Sequence, residues 1–299
     1  MSVDAPNVTW DEAAIRAWLA ASDDELKVYV SETHMSYLTL YLGRANARHV
    51  LGEPPDAVLR ELWLAARIYA EQGGVFLAKW PPEQLRRRRL LPLELALLAG
   101  DPKVLEQISL LFGLDVMSLM AGTESDDVLA EVAGMTRYFE ARGIDDRGAL
   151  AGTLAVLYWL ALSAVAAAEL ENLQAVRTVI ARVMKDHPHL ARPREGGLGR
   201  MLWLADAALA LEHGGEDLLV AAIGHHHLLH AQELVRRAAD EPGVARTGDG
   251  ALDTAMLAMM TLAAARGLDL GPALAKRAGE TAFAQALAYA AALGHTAAP

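Results

Sequence analysis

Apolar residues recur along this chain at intervals of three and four, the spacing that places them on one face of an α-helix. Alanine, leucine, glutamate and arginine, which favour helix, dominate the sequence, and runs of alternating β-branched residues are missing. Residues 9–12 (TWDE) and 22–25 (SDDE) have the spacing of a capping box, in which the first and fourth side chains bind free N–H groups at a helix start. The pattern therefore predicts an all-α protein.

Glycine, proline and acidic residues interrupt this pattern at short intervals and predict about a dozen helices. Short glycine–acid turns join neighbouring helices in 91–113 and 199–227, which indicates antiparallel hairpins. We expect one domain over residues 1–299, either an irregular α-solenoid or a multi-helix bundle. A hinge at ARPREGGLG (191–199) would subdivide it into an N-terminal part, 1–190, and a C-terminal part, 200–299. The predicted breaks are 52–56, 73–74, 80–82, 100–102, 122–127, 143–146, 187–197, 214–215, 241–250 and 267–271.

One segment raises the question of a membrane. Residues 148–168, GALAGTLAVLYWLALSAVAAA, contain no charge over 21 positions, a length that can cross a bilayer. Acidic residues flank the segment on both sides, and only Arg147 favours an orientation. A central helix that other helices surround on every side has the same composition. We therefore interpret it as a buried core helix, with membrane spanning as the alternative.

The composition of the chain excludes some kinds of chemistry and makes some binding partners less favourable than others. The chain has no cysteine, which excludes disulfides, thiol catalysis and cysteine-ligated zinc and is typical of a reducing cytoplasm. Its 27 basic and 38 acidic residues give a net charge of −11. An acidic surface repels nucleic acid and anionic lipid and attracts a basic protein. Because the N-terminus also lacks the apolar region of a secretory signal, we expect a cytoplasmic protein without nucleic-acid or membrane partners.

The most unusual stretch is GHHHLLHAQE, residues 224–233, which holds four histidines within six positions. On a helix of about 100° per residue, His226, His230 and Glu233 fall within an arc of about 60° on the apolar face. Two imidazoles and a carboxylate at positions i, i+4 and i+7 can present three ligands to one metal ion. The spacing therefore makes these three residues the candidate metal site.

The order of these residues differs from the known helical metal motifs. Both Glu-x-x-His, which di-iron bundles use, and His-Glu-x-x-His, which zincins use, are absent from the chain. A buried imidazole can equally belong to the core, where a carboxylate or a carbonyl satisfies it. We interpret the cluster from His225 to His230 as structural, with metal binding and acid–base chemistry as alternatives. Because no phosphate loop, nucleophile elbow or Ser/His/Asp arrangement occurs, we expect no catalytic residue, metal or other cofactor.

The C-terminal third carries a family resemblance. It consists of LLVAAIGHHHLLHAQELVRR, an acidic glycine-containing loop ADEPGVARTGDGALDTA, and a helix of small residues, MLAMMTLAAARG, which together lie within 218–267. This region, with LELALLAGDPKVLEQI at 93–108, resembles the immunity protein 49 family, antitoxins of bacterial polymorphic-toxin systems. The family has a leucine-rich helix bearing a histidine, matched here by His230, and an alanine-rich helix that ends at Arg-Gly, matched by Arg266 and Gly267.

The resemblance implies a cytoplasmic, non-catalytic, all-helical protein that neutralises one cognate protein toxin by tight binding. A basic toxin domain, such as a nuclease, would suit the acidic charge of the chain. Two other functions stay open at the level of sequence. The first is a helical-hairpin scaffold or a ligand-sensing regulatory protein, and the second is a metal-dependent all-helical enzyme that uses His226, His230 and Glu233.

Overall fold

The computed structural model of the chain describes residues 8–28, 35–76, 91–99 and 215–296, with four single positions between 103 and 211. Within these ranges the all-α prediction is confirmed, since nine α-helices occur and no strand does. The helices are α1 (Glu12–Val28), α2 (Met35–Val50), α3 (Pro55–Phe76), α4 (Leu91–Ala99), α5 (Glu216–Asp240), α6 (Pro242–Thr247), α7 (Thr254–Ala265), α8 (Gly271–Ala275) and α9 (Ala284–Ala290). Short 3-10 turns at Thr281–Phe283 and Ala291–Leu293 flank α9.

The two predicted capping boxes are wrong in detail. Helix α1 begins one residue after Asp11, whose carboxylate accepts a hydrogen bond from the Ala14 N–H at 3.0 Å, so Asp11 and not Thr9 is the cap. Ser22 lies inside α1 and donates to the Leu19 carbonyl at 2.6 Å. The Ser22 hydroxyl therefore binds a carbonyl of the helix that already contains it, and no new helix begins at Ser22.

The predicted breaks have mixed outcomes. The break at 52–56 is confirmed, because Gly52 adopts a φ of 70° and α3 begins at Pro55. The break at 73–74 is wrong, since α3 continues through both glycines to Phe76. Each glycine in a helix interior lowers the stability of the helix by about 1 kcal/mol relative to alanine. The remaining residues of a long helix can compensate for that loss. The break at 241–250 is confirmed, since α5 ends at Asp240 and α7 begins at Thr254, and a short helix, α6, lies between them.

Helices α2 and α3 pack together around a buried ion pair. The Arg44 Nε donates to both carboxylate oxygens of Glu61, at 3.1 and 3.2 Å, and its Nη1 donates to Ser22 Oγ of α1 at 2.7 Å. The Arg48 Nε donates to the same carboxylate at 2.8 Å, and its guanidinium also pairs with Glu53. Two guanidinium groups thus neutralise one buried carboxylate and join three N-terminal helices.

Helix α7 lies at the centre of the C-terminal part. Residues 254–260 are all buried, with no polar face towards solvent, and α7 contacts α4, α5 and α9. A helix that is apolar all round is stable only when neighbours cover every side. Asp253, the charged residue at the buried start of α7, must therefore find its partners inside the protein.

A glycine sets the approach of α5 to the chain before α9. A Cβ on Gly224 would lie 2.2 Å from the Phe283 ring, and Phe283 is almost completely buried. The glycine at the head of the histidine stretch thus makes room for an aromatic side chain. The contact between Gly224 and Phe283 therefore lies on the buried face of α5.

Several predictions fall outside the described residues, among them the uncharged segment 148–168 and the hinge at 191–199. The division into 1–190 and 200–299 and most of the family-like segment 93–108 are untested for the same reason. Among the helices that are described, none combines the length and the apolar character that crossing a membrane requires.

Candidate functional site

Helix α5 carries all four histidines of the stretch, and the structure divides them into two groups. His226, His227 and His230 are buried, whereas His225 is exposed. His226 and His230, which the helical spacing places on the apolar face, are thus inside the protein, and His227 is buried beside them. The rings of His226 and His230 have centroids 6.5 Å apart, and those of His227 and His230 are 6.0 Å apart.

The carboxylate that faces these imidazoles comes from another helix. Asp253 is the N-cap of α7, and its Oδ1 accepts a hydrogen bond from the Met256 N–H at 3.2 Å. Its Oδ2 lies 2.9 Å from His226 Nδ1 and 3.3 Å from His227 Nδ1. One carboxylate therefore caps α7 with one oxygen and holds two imidazoles of α5 with the other.

The electrostatics of this contact favour an ionised carboxylate. Complete burial raises the pKa of Asp253, but the positive charge on the imidazoles of His226 and His230 and hydrogen bonds from His226 and His227 outweigh that effect. The pKa of Asp253 is thus held well below its usual range. The cap of α7 also contributes, because a negative charge is favoured at the positive end of a helix dipole.

The network continues from Asp253 to the N-terminal helices. The Gln285 Oε1 accepts a hydrogen bond from the Asp253 N–H at 3.0 Å, and its Nε2 lies 2.8 Å from His49 Nε2 and 3.2 Å from the Ala251 carbonyl oxygen. The His49 Nδ1 lies 3.1 Å from the Tyr289 hydroxyl. Residues from α2, α5, α9 and the α7 cap thus form one polar network, which we call the histidine–aspartate network.

Two outer members of the network are held neutral. Burial, and then the charge of the nearby His227, lower the pKa of His49 to about 4. Burial raises the pKa of the Tyr289 hydroxyl above its ordinary value. At neutral pH the imidazole and the phenol therefore act as hydrogen-bonding groups without charge.

A second polar contact reaches α7 from the other side. Thr254, the first residue of α7, donates from its hydroxyl to Glu94 Oε2 at 2.6 Å, and Glu94 of α4 is completely buried. Near the other end of α7, His295 Nε2 donates to the Met260 carbonyl at 2.8 Å and its Nδ1 accepts from the Leu270 N–H at 3.1 Å. Polar side chains from other elements thus bind α7 at its start and near its end.

The predicted metal triad does not assemble as the helical spacing suggested. Both carboxylate oxygens of Glu233 accept hydrogen bonds from Arg236, at 3.1 and 2.6 Å, one turn further along α5. Asp253, and not Glu233, is the carboxylate against His226. Over the part of the chain that the structure describes, no group of three or more histidine, aspartate or glutamate side chains is arranged to hold a metal ion.

Sequence reasoning missed Asp253, Gln285 and His49 as partners of the histidines. Asp253 had a signal, because an aspartate directly before a run of small apolar residues is typical of a helix cap. His49 and Gln285 are more than 200 positions apart in the sequence, and no local pattern links them. What the network can do chemically is to hold protons inside the protein and to bind four helical segments together.

Comparisons with models of protein families, with curated proteins and with solved structures found no match to this chain. The resemblance to the immunity protein 49 family therefore stays a prediction.

Proposed function

We propose that this chain is a cytoplasmic immunity protein, which neutralises a cognate bacterial toxin by tight binding and catalyses no reaction. The resemblance over 93–108 and 218–267 supports this proposal, because the family it indicates consists of toxin-binding antitoxins. In the proposed arrangement, antiparallel helical hairpins form an irregular α-solenoid or bundle whose outer face carries the toxin.

The observation that carries the proposal is the use of the histidine–aspartate network. Its central members, His226 and Asp253, are almost completely buried, and Asp253 is at the same time a helix cap. General acid–base catalysis needs a titratable group within hydrogen-bond reach of a substrate. The side chains best suited to chemistry instead join helices to one another, which favours a binding scaffold over an enzyme.

Surface charge supports a basic partner. The exposed or half-exposed arginines Arg236, Arg237 and Arg277 each bind neighbouring carboxylates, which neutralises them locally. The chain as a whole carries a net charge of −11. The remaining acidic excess would speed the encounter with a basic toxin domain and would align the two proteins before contact.

A rescue assay tests the proposal. The product of the neighbouring gene would be expressed in bacterial cells with and without this chain, and surviving colonies would be counted. We expect the neighbouring product to kill cells when expressed alone and this chain to restore growth. A tagged form of the chain should then co-purify with an inactive variant of the toxin.

Salt dependence sharpens the test. If acidic charge steers the encounter, the association rate constant of the purified pair should fall by about tenfold or more as salt rises from low to high concentration. Exposed His225→Gln serves as a control variant that leaves both rescue and rate unchanged. A harmless neighbouring product, or killing that continues while the folded chain is present, would contradict the immunity function and favour a scaffold or regulatory role.

A further inference from the structure

Backbone groups fix the orientation of the Gln285 amide. The Asp253 N–H can only donate, so the atom that faces it at 3.0 Å must be the amide oxygen of Gln285. The Ala251 carbonyl can only accept, so the atom that faces it at 3.2 Å must be the amide nitrogen. The same NH₂ group points at His49 Nε2, 2.8 Å away.

This orientation determines the tautomer of His49. Because the Gln285 nitrogen donates, His49 Nε2 must accept and carries no proton. The proton of the neutral ring is then on Nδ1, which donates to the Tyr289 hydroxyl at 3.1 Å. The partners of the two ring nitrogens thus select the neutral tautomer of His49 that carries its proton on Nδ1.

Protonation of His49 would break this arrangement. A second proton on Nε2 would face the NH₂ group of Gln285 at hydrogen-bond distance, with two donors opposed. Rotation of the amide would relieve that conflict, but it would place donor against donor at Asp253 and acceptor against acceptor at Ala251. Neither orientation of the Gln285 amide accommodates both backbone partners and a charged imidazole.

We propose that His49 is an acid-sensitive lock, which holds helix α2 against the α6–α7 loop and α9 while it is neutral and releases α2 when it is protonated. The interface that it closes also contains the Leu252 N–H, which donates to Asn46 Oδ1 of α2 at 2.8 Å. Release of His49 would therefore expose the loop that carries the cap of α7. This regulation is independent of the proposed toxin binding.

The charged and titratable groups around His49 favour release on acidification. On α5 the charge of His227 lowers the pKa of His49, and the neighbour of His49 on α2, Arg48, is already occupied by two glutamates. Asp253 is separated from His49 by the Gln285 amide and is already engaged with α5. The charged and titratable groups that these elements present are His226, His227, His230, Asp253, Tyr289 and Arg48.

The pKa of His49, about 4 in the folded chain against an ordinary value of 6.5, sets the pH range of the lock. A histidine with a lowered pKa contributes stability above pH 6.5 and loses it as the pH falls towards 4. From these two values, the equilibrium constant for opening should rise about twentyfold between pH 7 and pH 5.

Amide hydrogen exchange on the full chain tests the lock. The Leu252 amide reports on the α2 interface, and its protection, corrected for the intrinsic pH dependence of exchange, should fall about twentyfold from pH 7 to pH 5. In His49→Gln the side-chain oxygen can still accept from Gln285 but cannot titrate, so this loss should disappear. The exposed histidine variant His225→Gln should behave like the wild type.

Two further readouts make the result decisive. Nitrogen chemical shifts of the wild-type imidazole should show His49 with its proton on Nδ1 at pH 7, a result that needs no variant to fold. The Leu270 amide, which reports on His295 instead, should keep its own pH response in His49→Gln. An Nε2-protonated ring, or an unchanged pH response of Leu252 in His49→Gln, would overturn the proposal.

Discussion

Two buried carboxylates, Glu61 on α3 and Asp253 at the start of α7, pose the same problem in two regions of the molecule. A buried carboxylate is costly unless a cation or several hydrogen bonds compensate it. In the N-terminal region Arg44 and Arg48 bind Glu61. In the C-terminal region imidazoles, including that of His226, face Asp253.

The difference lies in how the partners respond to pH. Arginine keeps its charge at every physiological pH. Burial lowers the pKa of Arg48, but its contacts with Glu53 and Glu61 outweigh burial, so the pKa of Arg48 is raised overall. Histidine changes its charge near pH 6.5. The N-terminal ion pair is therefore independent of pH, whereas the histidine–aspartate network contains His49, which gains a proton as the pH falls towards 4.

The largest expected effect is that of Asp253→Ala. The change leaves buried imidazoles without their carboxylate and removes the cap of α7, which should lower the free energy of unfolding by about 4 to 6 kcal/mol. Urea unfolding followed by circular dichroism measures it. The control is Asp249→Ala, because Asp249 is half exposed and pairs with Arg237, and it should cost less than about 1 kcal/mol. Similar losses of unfolding free energy in the two variants would show that Asp253 contributes no more than an exposed carboxylate.

The next effect compares the two carboxylates directly. Glu61→Gln should lower the free energy of unfolding by about 3 to 5 kcal/mol, equally at pH 8 and pH 6, because its arginine partners stay charged. Asp253→Asn keeps the cap acceptor but loses the charge that faces the imidazoles, and it should cost a similar amount. A loss in Glu61→Gln that changes between pH 8 and pH 6 would break the comparison.

A packing effect of intermediate size is expected at Gly224. In Gly224→Ala the new methyl group would meet the buried ring of Phe283, so the free energy of unfolding should fall by about 1 to 3 kcal/mol. The control is Gly243→Ala, since a Cβ at Gly243 has no neighbour within 4 Å and the residue lies in α6. That variant should be neutral or slightly more stable. Thermal unfolding of both proteins distinguishes the two outcomes.

A smaller, pH-dependent effect is expected at His295. Burial lowers its pKa more than the bond to the Met260 carbonyl and the charge of Asp269 raise it, so the folded protein holds the ring neutral. Its stabilisation is complete above pH 6.5 and is lost as the pH falls below that value. His295→Ala should therefore cost about 2 kcal/mol at pH 8 and less at pH 5. A cost that increases towards acid would show that the ring is charged in the fold.

The smallest effect is expected on the surface of α5. Arg236 pairs with Glu233 and Asp240, but its side chain is 63% exposed, and water screens such pairs. Arg236→Ala should leave the unfolding midpoint in urea unchanged. A clear loss of stability would mean that Glu233 has a structural role that its exposed ion pairs do not explain.

Local patterns predicted the fold class and several helix boundaries. The start of α3 at Pro55 and the turn between α7 and α8 follow from glycine and proline, whose backbone preferences act within a few residues. The start expected at Ser22 and the break expected at Gly73 failed for a related reason. Each residue is compatible with a helix interior, and tertiary packing decides which option is used.

The sequence by itself placed His226 and His230 on the apolar face of α5, because a helix of fixed pitch sets which residues share a face. It assigned them the wrong carboxylate, since Glu233 turns to Arg236 and Asp253 arrives from the cap of α7. The contact of His49 with Gln285 joins parts of the chain that only tertiary packing brings together. Helical periodicity is a local property, whereas the partner of a buried charge depends on which helices pack around it.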